Sequence, residues 1–401
     1  MRLSPLPHAP LGNLVRIKSG GTPSKGNAEY WGDDLPWITA KDLKSRYLVS
    51  SIQKLSAAGS SVATIAPVDG LLILVRGMGL FKDIPIGICK TEVAFNQDVK
   101  ALIPGTAIDS DFLYCALESL KPVLMQLVEA AGHGTGRLDT AKLLALPIPL
   151  PSLPEQRRIA AILGTWDAAI EKAERLTNLE EERHVRLRAG LIDQYGVDCV
   201  PLVDVAEVTT GQLAPQTPSA FSGSGYPFLR VSDLEPLLDR GAPSDPEHLD
   251  EEYAGENRYR LFPAGTIIFA KSGMSARLAR IYAIQQPSYL VSHLCAIIPR
   301  SPVLGRYLFH WLAANPPTSL IQGDGFPSIR TSAVAQLEAC LPADELVGSM
   351  ADALDLSLSS IAKTKAIAER LRRQKTGLMQ KLLTGKIRVP EALADLSPAA
   401  D

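Results

Sequence analysis

The chain lacks most of the marks that identify an enzyme or a membrane protein. Its five cysteines, Cys89, Cys115, Cys199, Cys295 and Cys340, are scattered and contain no Cys-x-x-Cys pair, which excludes a zinc ribbon or a dithiol redox motif. They are expected to be small buried apolar residues in a reducing compartment. The six histidines, His8, His133, His184, His248, His293 and His310, show no metal-ligand spacing. Gly20-Gly21-Thr22-Pro23-Ser24-Lys25-Gly26 lacks the terminal Gly-Lys-Ser/Thr of a nucleotide phosphate loop. No stretch reaches the run of about eighteen apolar residues that a membrane span needs, and Met1-Arg2-Leu3-Ser4-Pro5 lacks the apolar core of a secretory signal. The expectation is therefore a soluble, cytoplasmic protein with no membrane partner. The net charge of -2 means that any nucleic-acid surface must be local.

What is present is a sequence written twice. Pro36-Trp37-Ile38 returns as Pro227-Phe228-Leu229, and Asp42-Leu43 as Asp233-Leu234, at an offset of 191 residues. The apolar run from Gly70 to Arg76 aligns with Gly265 to Lys271, where the offset becomes 195, and Ala101-Leu102-Ile103-Pro104 aligns with Ala296-Ile297-Ile298-Pro299. Gly132-His133-Gly134 against Gly323-Asp324-Gly325 restores 191. A unit of this length is a domain, since solenoid periods run from about 20 to 50 residues. A chain of 401 residues that is 46% hydrophobic has material for two cores.

Residues 11 to 110 carry short apolar runs broken by Gly, Pro and Asp, which predicts short strands and turns. Asp111 to Val128 reads as a helix, with Phe112, Leu113, Cys115, Ala116, Leu120, Leu124 and Leu127 on one face. Leu146 to Pro151 forms a stiff extended bridge because each proline fixes its own backbone and biases its predecessor. From Glu155 to about Gln194 there is no proline, and apolar residues recur three or four apart, a long amphipathic helix of roughly 60 Å. Glu345 to Leu383 repeats that texture. Helices this long cannot bury their stripe on a small domain, so each is expected to pair with the other, with polar seam residues such as Thr364 fixing register.

Several phrases then resemble one family. Gly20-Gly21-Thr22-Pro23-Ser24, Glu29-Tyr30-Trp31-Gly32 and Pro36-Trp37-Ile38-Thr39 look like the opening of a target-recognition domain in the specificity (S) subunits of type I restriction-modification enzymes. Asn96-Gln97-Asp98, the run from Ile148 through Leu153-Pro154-Glu155-Gln156 to Ala160, and Gln374 to Lys386 are similar to later signatures of that family. The second half departs from it, with Leu341-Pro342-Ala343-Asp344-Glu345 in place of the first Pro-Glu-Gln phrase and Gly211-Gln212-Leu213-Ala214-Pro215 in place of Gly-Gly-Thr-Pro. The resemblance implies an α+β fold: two similar target-recognition domains of small mixed sheets with helices, at 1–152 and 197–342. It places two long antiparallel coiled-coil helices at 153–196 and 343–389, related by a pseudo-two-fold, and a disordered tail at 390–401. It implies a non-catalytic subunit that reads an asymmetric, two-part target in double-stranded DNA and recruits two methylation subunits and two restriction subunits. S-adenosylmethionine, ATP and Mg would then be bound by those partners and not by this chain.

Base reading needs paired donors or acceptors on ordered loops, and phosphate contacts need cations, hydroxyls and backbone amides. In the first domain the candidates are Thr22, Ser24, Lys25, Thr39, Lys41, Lys44, Arg46, Arg76, His133 and Arg137. In the second they are Gln212, Gln216, Arg230, Ser232, Lys271, Ser272, Arg277, Arg280, Ser328 and Arg330. Each competes with a solvated surface charge or an internal salt bridge. Arg76 and Lys271 stand out because both follow an apolar strand and precede glycines, at what the alignment makes the same position. Trp37, Phe228, Tyr30 and Trp31 are expected in the core, not as stacking platforms.

The sequence also carries features of two rival functions. Phe221-Ser222-Gly223-Ser224-Gly225 and Asn315-Pro316-Pro317-Thr318 imitate the cofactor loop and catalytic motif of DNA methyltransferases. The first is expected to lie beside a strand with no helix following it, and Thr318 cannot stack on an extruded base. Asn315 is expected to end a helix carrying Tyr307, Trp311 and Leu312. The other rival is a coiled-coil adaptor that binds no nucleic acid.

Overall fold

The computed structural model describes residues 6–132, 134–235, 246–278, 280–323 and 325–389. His133 and the expected tail at 390–401 lie outside the described residues. The chain divides into two compact units, one of residues 1–171 with 369–401 and one of residues 172–368. The long helices Leu153–Tyr195 and Asp344–Leu383 each contribute to both units; the first matches the expected 153–196 to within one residue, and the second stops at Leu383, six residues short of the expected 389.

The first unit is built on two five-stranded sheets. One runs in the order Val15–Ser19, Val99–Pro104, Leu71–Leu74, Ile86–Cys89, Tyr47–Leu48. The other places Leu35–Ile38 parallel to Val93–Phe95, with Ala94 opposite Trp37 and Phe95 opposite Ile38. Leu71 to Leu74 is buried on both faces, which is why it reads as a continuous apolar run without alternation. The extended segment Pro147–Pro149 pairs antiparallel with His8–Pro10 as a separate two-stranded sheet. The predicted helix from Asp111 is two helices, Ser110–Ser119 and Lys121–Gln126, because Pro122 has no N–H to give and crowds the preceding turn.

The second unit repeats this plan. Ala206–Thr210, Leu294–Pro299, Ile267–Ala270 and Tyr282–Ala283 form a sheet in the order of the first four strands of its counterpart. Phe228 and Leu229 lie parallel to Tyr289 and Leu290, as Trp37 and Ile38 do to Ala94 and Phe95. Trp37 and Phe228 are buried, as expected of core residues, whereas Tyr30 and Trp31 are only half-buried, Trp31 standing edge-on to Trp37. Gly20 and Gly211 show why glycine recurs at one offset: an added Cβ would stand 2.2 Å from the Asn96 carbonyl oxygen and 2.1 Å from that of Leu290. Asp42 and Asp233 recur for a related reason. Asp42 accepts from the Thr39 amide at 2.9 Å and Asp233 from the Arg230 amide at 2.8 Å, so each closes the same turn.

Within each unit the two long helices run antiparallel. In the first, Asp167 meets Lys375, and Arg388, just past the end of the second helix, donates two hydrogen bonds to Glu155, at 2.5 and 2.6 Å. The buried Gln156 side chain donates to the carbonyls of Ala107 and Pro151 and accepts from the Asp109 amide, which ties the long helix to the turn that caps Ser110–Ser119 and accounts for the Pro-Glu-Gln phrase. In the second, Glu180 accepts from Ser360 at 2.9 Å and from the buried Thr364 at 3.2 Å, a half-buried polar seam of the kind that sets register.

The cysteines depart from expectation. Cys89, Cys115 and Cys295 are buried and reduced, but Cys199 and Cys340 form a disulfide, and Cys199 is exposed. They face each other across the antiparallel pair Asp198–Pro201 and Glu338–Leu341, where the first unit has His8 opposite Pro149. Direct cross-strand neighbours bring their Cβ atoms close together, a proximity that separations of 141 residues conceal in a sequence.

Candidate nucleic-acid interface

The strand ladders revise one alignment, and the revision reshapes the site. Leu102 pairs with Leu71 in the first unit and Ile297 with Ile267 in the second, so the central strands correspond at an offset of 196, not 195. Thr266 is the cause: it lies between Gly265 and the second strand, whereas Gly70 abuts the first directly. A slip of one residue exchanges the two faces of a strand. Arg76 therefore corresponds to Ser272, and Lys271 takes the place of the buried Val75. Matching hydrogen bonds confirm the register, since the Val75 amide donates to Asp98 and the Lys271 amide to His293, at 2.8 and 2.9 Å.

In the first unit Arg76–Gly77 pairs with Gly136–Leu138, which sets Arg76 directly opposite Arg137. Both are exposed, and among the described residues neither forms an ion pair. Like charges directly opposite destabilise a strand pair by a few tenths of a kcal/mol or more. On its other side Arg137 lies opposite Glu129, which pairs with Lys142, and Asp139 is held below its usual carboxylate range by its backbone hydrogen bonds and by Arg137, so the two guanidinium groups are only partly balanced within the chain. In the second unit the same cross-strand position holds Ser272 opposite Ser328, with Arg330 exposed two residues on. Ser272 is hydrogen-bonded to His293 at 2.7 Å. One unit thus presents two guanidinium groups where the other presents two hydroxyls.

The remaining candidates divide by what they touch. Arg46 is committed internally: it donates to Asp111 at 2.7 Å and Asp167 at 2.9 Å and lies over the rings of Tyr47 and Tyr114. Arg230 pairs with Glu247 and covers Phe221 and Phe228, and Arg280 pairs with Glu235. Thr22 donates to Gln97, Thr39 to Asp42 and Ser232 to Asp233, and Gln216 donates to the Ala214 carbonyl. Gln212 spans the Arg258 carbonyl and the Arg260 amide. Lys25 sits 5.9 Å from the centre of the Trp37 ring. Ser24, Lys41, Lys44 and Arg277 are exposed, and Lys271 is half-buried. The sequence reading passed over Met78 and Met274, each exposed beside the cross-strand pair. Their signal was the glycine before each, visible only once the offset is 196.

Of the methyltransferase imitations, the first is part of a strand and not a segment beside one, and the second ends a helix as expected. Phe221-Ser222-Gly223-Ser224-Gly225 lies within the strand Phe221–Leu229, and Asn315 caps the helix Pro302–Ala314, its side chain donating to the Trp311 carbonyl at 3.1 Å. Among the described residues no helix is long and apolar enough to cross a membrane.

A family model described as the type I restriction modification DNA specificity domain matches residues 9–181 and again 196–373. The chain is 25% identical to the type I restriction enzyme MjaIX specificity subunit of Methanocaldococcus jannaschii, over 94% of this chain and 93% of that one. It is 32% identical to the EcoR124I/EcoR124II specificity subunit of Escherichia coli over 46% of each. It shares its fold with the S subunit of a type I restriction-modification system from M. genitalium, at a TM-score of 0.60 and 14% identity, covering 95% of this chain and 96% of that one. The repeated fold, the duplicated family match and the two unlike cross-strand sites agree: the chain belongs to the type I restriction-modification DNA specificity family, as a subunit that recognises the DNA target and not as the catalyst.

Proposed function

We propose that each domain reads one half of an asymmetric two-part target in double-stranded DNA, within a cytoplasmic complex containing two methylation and two restriction subunits. The domains are taken as 1–152 and 197–342. S-adenosylmethionine, ATP and Mg would belong to the partners. The observation that carries this reading is the exposed Arg76–Arg137 pair, two cations directly opposite across one ladder, beside a Glu129 that is itself paired with Lys142. An arginine fork suits guanine O6 and N7 or a pair of phosphates. Ser272, Ser328 and Arg330 would form the second, chemically different reading surface, which supports unlike half-sites, whereas Lys271, on the other face of its strand, falls outside it.

The long helices, 153–196 and 343–389, would act as the spacer that fixes the gap between half-sites. Shortening the first by one heptad should then change the gap or abolish activity while leaving each half-site unaltered. The direct test is binding to random duplex as a function of salt. Each phosphate contact contributes about 0.9 to the slope of log K against log salt. The double variant R76A/R137A should flatten that slope by about one to two and abolish methylation of the target. An unchanged slope with target methylation intact would remove the pair from the interface, and absence of any binding at low salt would favour the adaptor reading.

A further inference from the structure

Met78 and Met274 occupy equivalent positions at the offset that the ladders establish, and both side chains are largely exposed, at 74% and 70%. Each follows a glycine whose positive φ only glycine adopts readily, Gly77 at 152° and Gly273 at 75°. Each opens a short 3-10 turn, Met78–Phe81 and Met274–Leu278. Two residues later the turn is anchored by a buried side chain, Leu80 or Ala276, again at equivalent positions. The anchor faces inward, and the methionine stands outward at the start of an ordered turn. It lies two residues beyond the cross-strand pair: Arg76 with Arg137 in one unit, Ser272 with Ser328 in the other.

Leaving a methionine in water forgoes the free energy that burying its apolar side chain would contribute. A surface that keeps one at the same place in two otherwise dissimilar sites has an apolar contact to make there. The polar pairs beside it face an anionic, acceptor-rich partner. In a duplex, the apolar group displayed among such acceptors is the C5-methyl of thymine on the major-groove edge. We infer that Met78 and Met274 are specificity-determining residues, each packing its thioether against a thymine methyl in the half-site read by its own domain. The assignment rests on the DNA-reading function proposed above, and it adds the class of base that each domain requires.

The test uses the full complex with its methylation subunit. Methylated adenines mapped across a host genome give the two half-sites, after which each thymine is replaced by uracil, which removes only the methyl group. The wild-type complex should lose about three- to tenfold in affinity at one thymine in each half-site. Met78→Ala should bind thymine and uracil duplexes equally in the first domain's half-site and keep full discrimination in the other, and Met274→Ala the reverse. Met78→Gln and Met274→Gln, which keep the length and lose the apolar end, should behave alike. Salt slopes on random duplex should match wild type in all four. Uracil tolerated at every position, a half-site without thymine, or methionine variants that retain the full uracil penalty would each overturn the assignment. These results leave the DNA-reading function standing when R76A/R137A still flattens the salt slope. An unchanged slope in that double variant is instead a failure of the underlying function.

Discussion

Replacing Arg46 separates a structural role from a DNA contact. Its guanidinium bridges Asp111 on the helix Ser110–Ser119 and Asp167 on the first long helix, with Lys375 holding the other oxygen of Asp167. Only 11% of the Arg46 side chain is exposed, against 31% for each aspartate. Removing one member of a buried pair costs about 3–5 kcal/mol because the remaining charge is stranded. Here water reaches the aspartates, and Lys375 and Lys90 partly compensate, so the figure falls to about 2–3 kcal/mol. For a unit of some 150–250 residues each kcal/mol shifts Tm by about 2–4 °C, so Arg46→Ala should lower the first unit's melting temperature by about 5–10 °C. Differential scanning calorimetry reads this directly. Arg46→Lys should recover only part of the loss, since an ammonium cannot span two carboxylates as the planar fork does. The salt slope of DNA binding, measured well below the transition, should match wild type. An unchanged Tm together with a flatter slope would refute this reasoning and return Arg46 to the interface.

Other outcomes follow from the same structure. Burial pushes the thiols of Cys89, Cys115 and Cys295 up to about 12, so iodoacetamide at pH 8 should leave all three unmodified in the native protein, and mild reduction should expose only Cys199 and Cys340 to it. The same shift fixes a pH dependence: thiols raised above their unfolded value of 9.0 contribute stability that is intact below pH 9 and lost as pH rises toward 12. Urea midpoints should therefore fall across that window, and less steeply in a triple Cys→Ala variant. Glu180→Ala removes the acceptor shared by Ser360 and Thr364 and should destabilise the second unit by about 1–2 kcal/mol, seen in its urea midpoint.

Local features were legible in the sequence, and non-local ones were not. Unbroken helical periodicity gave both long helices, and Asn315 followed by two prolines gave a helix end, because these signals are written in consecutive residues. Trp37 and Phe228 were legible as core because the repeat aligned them within equally apolar strands. The meeting of Arg76 and Arg137 depends on a ladder between distant segments that leaves no periodic trace. The single extra residue at Thr266 was hidden because Gly70 and Gly265 made an attractive but false anchor, and it turned Lys271 from a counterpart of Arg76 into one of Val75. Arg46 looked like a surface cation because its carboxylates lie 65 and 121 residues away.

The bond between Cys199 and Cys340 encloses almost the whole second reading domain in one covalent loop. With 141 residues between its ends, such a closure restricts the denatured chain by about 5 kcal/mol on a chain-entropy account. At the matching place the first domain has His8 and Pro149, with nothing to crosslink. Thiol chemistry can therefore reach one reader and not the other. In oxidised preparations the half-site belonging to the second domain should be the last to lose its recognition on heating, and a reductant should erase that seniority.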